Sequence, residues 1–387
     1  MDEKLGYYTV DNQKFESKIQ ALIYASKHKK SVRWVFNNRT FDNHNWILEP
    51  AEDLDMLYRR RARELRERYD YLVLCYSGGS DSNNILEAFI REGLVIDEIV
   101  TNFIVDATKP ITNQDIQSTK AENHNAEWDL LASRRMQYIY DNMKGVKISN
   151  FDMSRPILEH FKSHQDGSWI MQCKEWANPM STARYNIIHD TALRKKFDAT
   201  KSVGVILGVD KPQLVIRDKK LFLYFSDTTA NITPMTGHIK TYDNSTVEFF
   251  YWSPDSVNIL CKQAHIMLKY LRSHEHHQRL WNWTTNLKSS PLYTKARTLR
   301  ESILRTVIYT TWNRAWFQAE KGTIGWTNVN DRWFFDYFQG TPEYQAWKNG
   351  IDYMLQNISS EFMVLEDQKF VPMFSPNYYI GNLDNNQ

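Results

Sequence analysis

Apolar positions along the chain follow two different periods. Tyr7-Tyr8-Thr9-Val10 and Val32-Arg33-Trp34-Val35-Phe36 read as short strands flanking an amphipathic helix over residues 15–27. A second helix is predicted over 52–68, where Leu54, Leu57, Arg61 and Leu65 recur at helical spacing. Tyr71-Leu72-Val73-Leu74-Cys75-Tyr76 is different, because it is apolar without alternation. That is the pattern of a central parallel strand buried on both faces. Ile85, Leu86, Phe89 and Ile90 then mark a helix that stops near Gly93, and residues 97–105 form the next strand. Strand, loop, helix and strand together make the βαβ unit of an open parallel sheet.

The alternation continues. Helices are predicted over 126–143, 156–164 and 181–197, with a short strand at 146–149 and a buried strand at 205–209. Residues 213–216 and 221–225 read as a hairpin around Asp218-Lys219-Lys220. Residues 248–255 read as a strand entering a Ser/Pro/Asp helix cap. Beyond about residue 250 the pattern turns helical, with Leu260, Ala264, Met267, Leu268 and Leu271 on one face. The expected fold class is α/β: an open parallel-sheet, Rossmann-like nucleotide-binding domain, with a small N-terminal α+β unit and a mainly helical C-terminal region. Three units are expected: 1–50, a nucleotide-binding domain over 51–245, and an aromatic-rich region over 246–387.

Composition narrows the class. With 387 residues, 42% hydrophobic and 24% charged, the chain can bury a sizeable core and is not disordered. Aromatics reach 14% and concentrate after residue 250, which suits either a helical core or a surface for stacking bases. A net charge of only +2 does not mark a nucleic-acid binder. The local exception is Arg59-Arg60-Arg61-Ala62-Arg63-Glu64-Leu65-Arg66-Glu67-Arg68, either a solvated helix face or a holder of a phosphate-bearing substrate. Cys75, Cys173 and Cys261 are far apart in sequence, which argues against a disulfide framework or a cysteine-ligated metal. No basic-then-apolar leader and no apolar run of roughly 18 residues is present. A cytoplasmic protein without membrane partners is the expectation.

The chemistry concentrates in Ser77-Gly78-Gly79-Ser80-Asp81-Ser82. This string joins the C-terminal end of a parallel strand to a helix N-terminus. Two glycines let the backbone turn sharply and approach an anion. The first-turn N–H groups are unpaired and carry the positive end of the helix dipole. The three serine hydroxyls add donors. Asp81 has no business beside an anion unless a metal accompanies it, and a carboxylate beside pyrophosphate is a Mg²⁺ ligand. The kinase and GTPase pattern G-x-x-x-x-G-K-[ST] is absent, as is G-x-G-x-x-G.

The string resembles the PP-loop of the N-type ATP pyrophosphatases, S-G-G-x-D-S, and the flanking strand, helix and second strand match as well. The clear resemblance covers about residues 69–225. It implies a HUP-type sheet, ATP and Mg²⁺ as cofactors, and an adenylating enzyme. In that superfamily a substrate oxygen attacks the α-phosphate, pyrophosphate leaves, and an amine or ammonia displaces AMP. By the resemblance Ser77, Gly78, Gly79, Ser80, Asp81 and Ser82 hold the triphosphate, and Asn102 and Phe103 lie against the adenine. The whole chain is similar to phage-type proteins described as asparagine-synthase-like. It departs from asparagine synthetases in lacking an N-terminal cysteine nucleophile: the second residue is Asp2, and no cysteine precedes Cys75. Nitrogen would have to come from ammonia or an amine. Modification of a nucleobase in tRNA or DNA, and an ATP-binding module without turnover, stand as alternatives.

Other residues are candidates by position. Gly208-Val209-Asp210-Lys211-Pro212 ends a predicted parallel strand, at the sheet edge where open α/β folds bind ligands. There Lys211 meets a phosphate and Asp210 a Mg²⁺ ion; the alternative is a strand end with a Pro-led turn. Arg184 leads into that strand and either reaches the same site or lies on the surface. Residues 107–125 are long for a connection and read as a lid or a solvated loop, with Glu122 and His124 at its end and Glu127 just beyond. His274-Glu275-His276-His277 lacks the second histidine of H-E-x-x-H, since Gln278 stands there.

Overall fold

The computed structural model describes residues 3–106, 128–173, 202–230, 245–286, 293–313, 326 and 332–384. The N-terminal unit is an antiparallel sheet in the order β2-β1-β3, from β1 (Tyr7–Val10), β2 (Gln13–Phe15) and β3 (Arg33–Val35). Between them runs α1 (Lys18–His28), started by the Ser17 hydroxyl accepting from the Gln20 amide and closed by Lys29 at φ 53°. A short α2 (Asn38–Phe41) follows, then α3 (Leu54–Arg68), whose cap Asp53 accepts from the Met56 amide.

The central sheet contains β4 (Tyr71–Cys75), β5 (Glu98–Phe103), β6 (Lys147–Asp152), β7 (Val203–Leu207) and β10 (Ser245–Phe249). The order is β10-β7-β4-β5-β6, and every pairing is parallel. Burial explains the pattern: Leu72, Val73 and Leu74 are all buried, as a strand covered on both faces requires. β4 comes first in the chain and lies in the middle. The next two strands are laid to one side of it and the last two to the other. The winding therefore reverses between β4 and β7, and a crevice opens there at the carboxyl ends of the strands. α4 (Ser80–Glu92) leads from β4 towards β5, packs on α3, and stops at Gly93 with φ +70°. A π-helical turn, Trp128–Ala132, runs into α5 (Ser133–Asn142), and α6 (Ser154–Ser163) follows β6.

The hairpin of β8 (Gln213–Arg217) and β9 (Lys220–Tyr224) leaves the sheet after β7 and turns through Asp218 and Lys219, both at positive φ. A short α7 (Asp227–Ala230) comes next. After β10 come α8 (Val257–Ser273), α9 (Glu275–Asn286), α10 (Tyr293–Ile308), α11 (Arg332–Tyr337) and α12 (Pro342–Asn357). Two short strands, β11 (Met363–Val364) and β12 (Lys369–Phe370), precede β13 (Tyr378–Asn382), which pairs antiparallel with β9.

Apolar packing runs across residues 50/51 and 245/246. β10 begins at Ser245 and is an edge of the central sheet. One hydrophobic cluster contains Tyr8, Leu72 and Leu268 together. A second gathers Ile19, Phe161, Trp169, Trp333 and Met354. α1 lies between them, giving Ala21 and Ala25 to the first and Ile19 and Leu22 to the second. Among the described late aromatics, Trp252, Trp281, Trp333 and Trp347 are buried, whereas Trp283, Tyr337, Tyr353 and Phe374 are exposed.

Buried charge staples distant segments. Lys18 and Asp227 pair at 2.7 Å with no exposure on either side chain. Lys18 also donates to the Val371 carbonyl at 2.9 Å, while Asp227 accepts from the Tyr8 hydroxyl and the Met373 amide. The arginine run on α3 is spent in the same way. Arg61 meets Glu248 of β10 at 2.9 Å, with both side chains 1% exposed. Arg68 adds a second contact to Glu248, Arg59 and Arg63 bind Glu92, Arg60 binds Glu52, and Arg66 binds Asp97. This helix is a structural clamp whose cations are already matched by carboxylates. Among the described residues, no helix is long and apolar enough to cross a membrane.

Candidate nucleotide site at the strand switch point

The serine-glycine string forms the turn from β4 into α4. Gly78 takes φ +78°, and a Cβ there would stand 2.9 Å from the Ala132 amide nitrogen, so only glycine fits beneath the start of α5. The first intrahelical bond runs from the Asn83 amide to the Gly79 carbonyl at 2.9 Å. The amides of Ser80, Asp81 and Ser82 therefore precede the helical ladder. Within the turn, Ser82 Oγ donates to the Gly79 carbonyl and accepts from the Ser77 amide, while Ser77 Oγ accepts from the Gly79 amide. These bonds set the loop's shape.

The segment after β7 approaches the same turn. A Cβ on Gly208 would come within 3.2 Å of the Ser82 nitrogen and 3.3 Å of the Asp81 Cβ. Residues 208–211 are held by the strand beside them: the Trp252 amide donates to the Val209 carbonyl, and the Trp252 indole to the Lys211 carbonyl. The two expected segments thus meet in the switch-point crevice.

Lys211 is the centre of the meeting. Its side chain is only 6% exposed, and its ammonium lies 2.7 and 2.9 Å from the two Asp81 oxygens. Asp210 and Glu301 each approach it at 3.3 Å. Burial works against the charge on Lys211, but the carboxylates of Asp81, Asp210 and Glu301 outweigh it and hold its pKa well above the ordinary lysine range. Lys211 is therefore a cation at any working pH.

Behind Asp81 lies a group of buried tyrosines. Tyr309 donates to Asp81 Oδ1 at 2.6 Å, and Tyr251 donates to the Asp81 carbonyl at 3.0 Å. Asn84 fixes the Tyr251 hydroxyl at 2.9 Å, and Tyr58 packs against both rings. Burial pushes the Tyr251 and Tyr309 phenols well above their ordinary range, so both are neutral donors. Glu87 of α4 takes Arg135 and Tyr138 of α5, which pins the two helices together.

Other expected site residues fall elsewhere. Asn102 and Phe103 end β5, on the side of β4 away from β7; both are half-buried, and Phe103 packs on Trp128 with centroids 5.0 Å apart. Arg184, Glu122, His124 and Glu127 lie outside the described residues. Glu301, Arg305 and Tyr309 were not singled out from sequence. Their spacing of four was the available signal, since it places three polar groups on one helical face of α10 and its C-terminal extension.

The donor set bears on Mg²⁺. Among the described residues, no three or more His, Cys, Asp or Glu side chains form a metal-holding group by themselves. Mg²⁺ does not need one, because it binds through one or two carboxylates together with phosphate oxygens and waters. Asp81 and Asp210 are two such carboxylates converging on one cation, and their all-oxygen chemistry suits a hard ion. No protein-family model matches this chain, and a comparison with curated proteins likewise finds no match.

Proposed function

We propose that the chain is an AMP-forming enzyme of the ATP pyrophosphatase type, which adenylates a substrate oxygen and passes the activated group to an amine or ammonia. The observation that carries this reading is the convergence of two segments at one switch point. The serine-glycine turn and the Asp210-Lys211 corner, 130 residues apart, close on one another through the Lys211 ammonium and the Asp81 carboxylate. An anion cradle on the first turn of α4 and a buried cation beside it suit a polyphosphate.

On this reading the amides of Ser80, Asp81 and Ser82 and the serine hydroxyls orient the β- and γ-phosphates. Asp81 and Asp210 would hold Mg²⁺, which supplies charge neutralisation on the polyphosphate. Lys211 is then released from part of its carboxylate shell and meets the charge that develops on the leaving group. A carboxylate oxygen of the substrate attacks the α-phosphorus, the bond to the β-phosphate oxygen breaks, and pyrophosphate departs with the electron pair. An amine next attacks the acyl carbon of the acyl-adenylate, expels AMP and loses a proton. The protein's part is positioning and electrostatics.

Incubation with α-labelled ATP, Mg²⁺ and a pool of carboxylic acids and amines tests the reaction class. Labelled AMP and pyrophosphate are expected; ADP as the sole product rules out adenylation. Asp81→Ala is expected to abolish AMP formation, and undiminished turnover would remove Asp81 from the site.

One observation favours a second reading, an ATP-binding module without turnover. The Asp81 carboxylate is already filled by Lys211 and Tyr309. In that case ATP raises the melting temperature while no product forms under any substrate pool.

A further inference from the structure

Arg305 sits on α10, one turn beyond Glu301 and one turn before Tyr309. It is 8% exposed, and its Nε is fully buried without a hydrogen-bond acceptor. Among the described residues no ion pair reaches it. Arg61 is buried more deeply, at 1% exposure, and its Nε is likewise without an acceptor, but there Glu248 stands 2.9 Å from the guanidinium. Glu301, the nearest carboxylate on Arg305's own helix, turns to Lys211 instead.

Burial opposes the charge on Arg305 and lowers its pKa, while Glu301, Asp81 and the Tyr309 hydroxyl pull in the other direction. Glu301 and Tyr309, one turn to either side, reach Lys211 at 3.3 Å and Asp81 at 2.6 Å, so Arg305 lies on the helix face turned toward the serine-glycine loop. A guanidinium does not shed its proton under ordinary conditions, so a buried one without a carboxylate is costly. At that loop begins α4, a 13-residue helix whose first amides are free of the helical ladder. An incoming anion satisfies both features at once.

We infer that Arg305 is the receptor for the terminal phosphates of the polyphosphate, the pair that departs as pyrophosphate. Its planar fork binds two phosphate oxygens side by side, which a lysine cannot do. Lys211 and Arg305 then divide the work: Lys211 is neutralised by carboxylates until ligand arrives, whereas Arg305 stands charged and waiting. This inference rests on the AMP-forming reading, because it assigns Arg305 to that reaction's leaving group.

The test is calorimetric titration with inorganic pyrophosphate, with ATP and, separately, with AMP, on wild type, Arg305→Met and Arg305→Lys. Arg305→Met is expected to weaken pyrophosphate binding by about tenfold or more, the worth of a charge-assisted pair. AMP binding should be unchanged, and the ligand-free variant should melt at or above the wild-type temperature because an unmatched buried charge has gone. Arg305→Lys should fall between wild type and Arg305→Met in pyrophosphate affinity. Undiminished pyrophosphate binding by Arg305→Met overturns the inference. So does a fall in melting temperature, or failure to fold, in both variants, since either makes Arg305 a structural residue. If wild type binds neither pyrophosphate nor ATP, the AMP-forming reading fails and takes this one with it. If wild type binds both and Arg305→Met binds them equally, only the role of Arg305 is lost.

Discussion

Lys211 shows how a single side chain can be both a structural and a chemical commitment. Three carboxylates share its ammonium, so Lys211→Met leaves them facing one another in a mostly buried site. The expected cost is about 3 kcal/mol in urea unfolding, the lower end for a broken buried pair, because Asp210 and Glu301 keep some solvent. Adding Asp81→Asn to that variant should recover part of the loss; further destabilisation would mean that Asp81 is held mainly by Tyr309. A second residue sets a pH dependence. His160 is buried on α6, and burial pushes its imidazole down to about 3. An unfolded histidine takes its proton near 6.5, so below that pH the unfolded chain binds a proton that the folded chain refuses. Stability is expected to fall from pH 6.5 toward pH 3. His160→Gln should flatten that limb of the stability profile, and an unchanged slope would show that other groups carry it. Asp81, Asp210 and Lys211 were legible in the sequence because each belongs to a short local string at a strand end. Tyr309 was not, because its partner Asp81 lies 228 residues away and α10 reads as an ordinary amphipathic helix.

At the scale of elements, the strands were readable and their order was not. Apolar runs identify β4 and β7 as buried, yet nothing in either run says that they are neighbours. That adjacency is set by register, Tyr71 beside Val203 through Leu74 beside Ile206. From its pattern β10 reads as a strand leading into a cap, at the threshold of a new region. Its place at the edge of the sheet depends on Glu248, a charged residue that a sequence pattern assigns to the surface. In the structure Glu248 is buried beneath Arg61, Arg68 and Tyr69. Glu248→Gln should therefore cost about 3 kcal/mol by leaving Arg61 poorly matched. Chemical denaturation will check this, and a change under about 0.5 kcal/mol would class the clamp with weak surface pairs. The tight turns make a complementary prediction. Gly208→Ala places a methyl 3.2 Å from the Ser82 nitrogen, so the first turn of α4 must shift by a few tenths of an ångström. Nucleotide binding should weaken more than overall stability does, as a parallel titration and melt would reveal.

Taken whole, the molecule is more continuous than its sequence pattern implies. The changes in composition near residues 50 and 250 are real, but they mark changes of element type within shared cores. β10 completes the sheet, β13 covers the hairpin, and α10 brings Glu301, Arg305 and Tyr309 to the site. A fragment ending at residue 245 keeps the serine-glycine loop but loses the strand and helices that hold it. Such a fragment is expected to lack near-ultraviolet circular dichroism and to bind no nucleotide, and a cooperative melt from it would restore the independent domain. The buried pair of Lys18 and Asp227 has a consequence during synthesis. Lys18 completes its bonding only at the Val371 carbonyl, 353 residues further on. At translation rates of about 5–20 residues per second, that partner emerges roughly 20–70 s after α1. Asp227 and the early partners Leu72, Phe161 and Trp169 are made within that interval, but the share of the second cluster that Trp333, Trp347 and Met354 supply is still missing for most of it. Full burial of α1 thus waits for the last helices of the chain to be released.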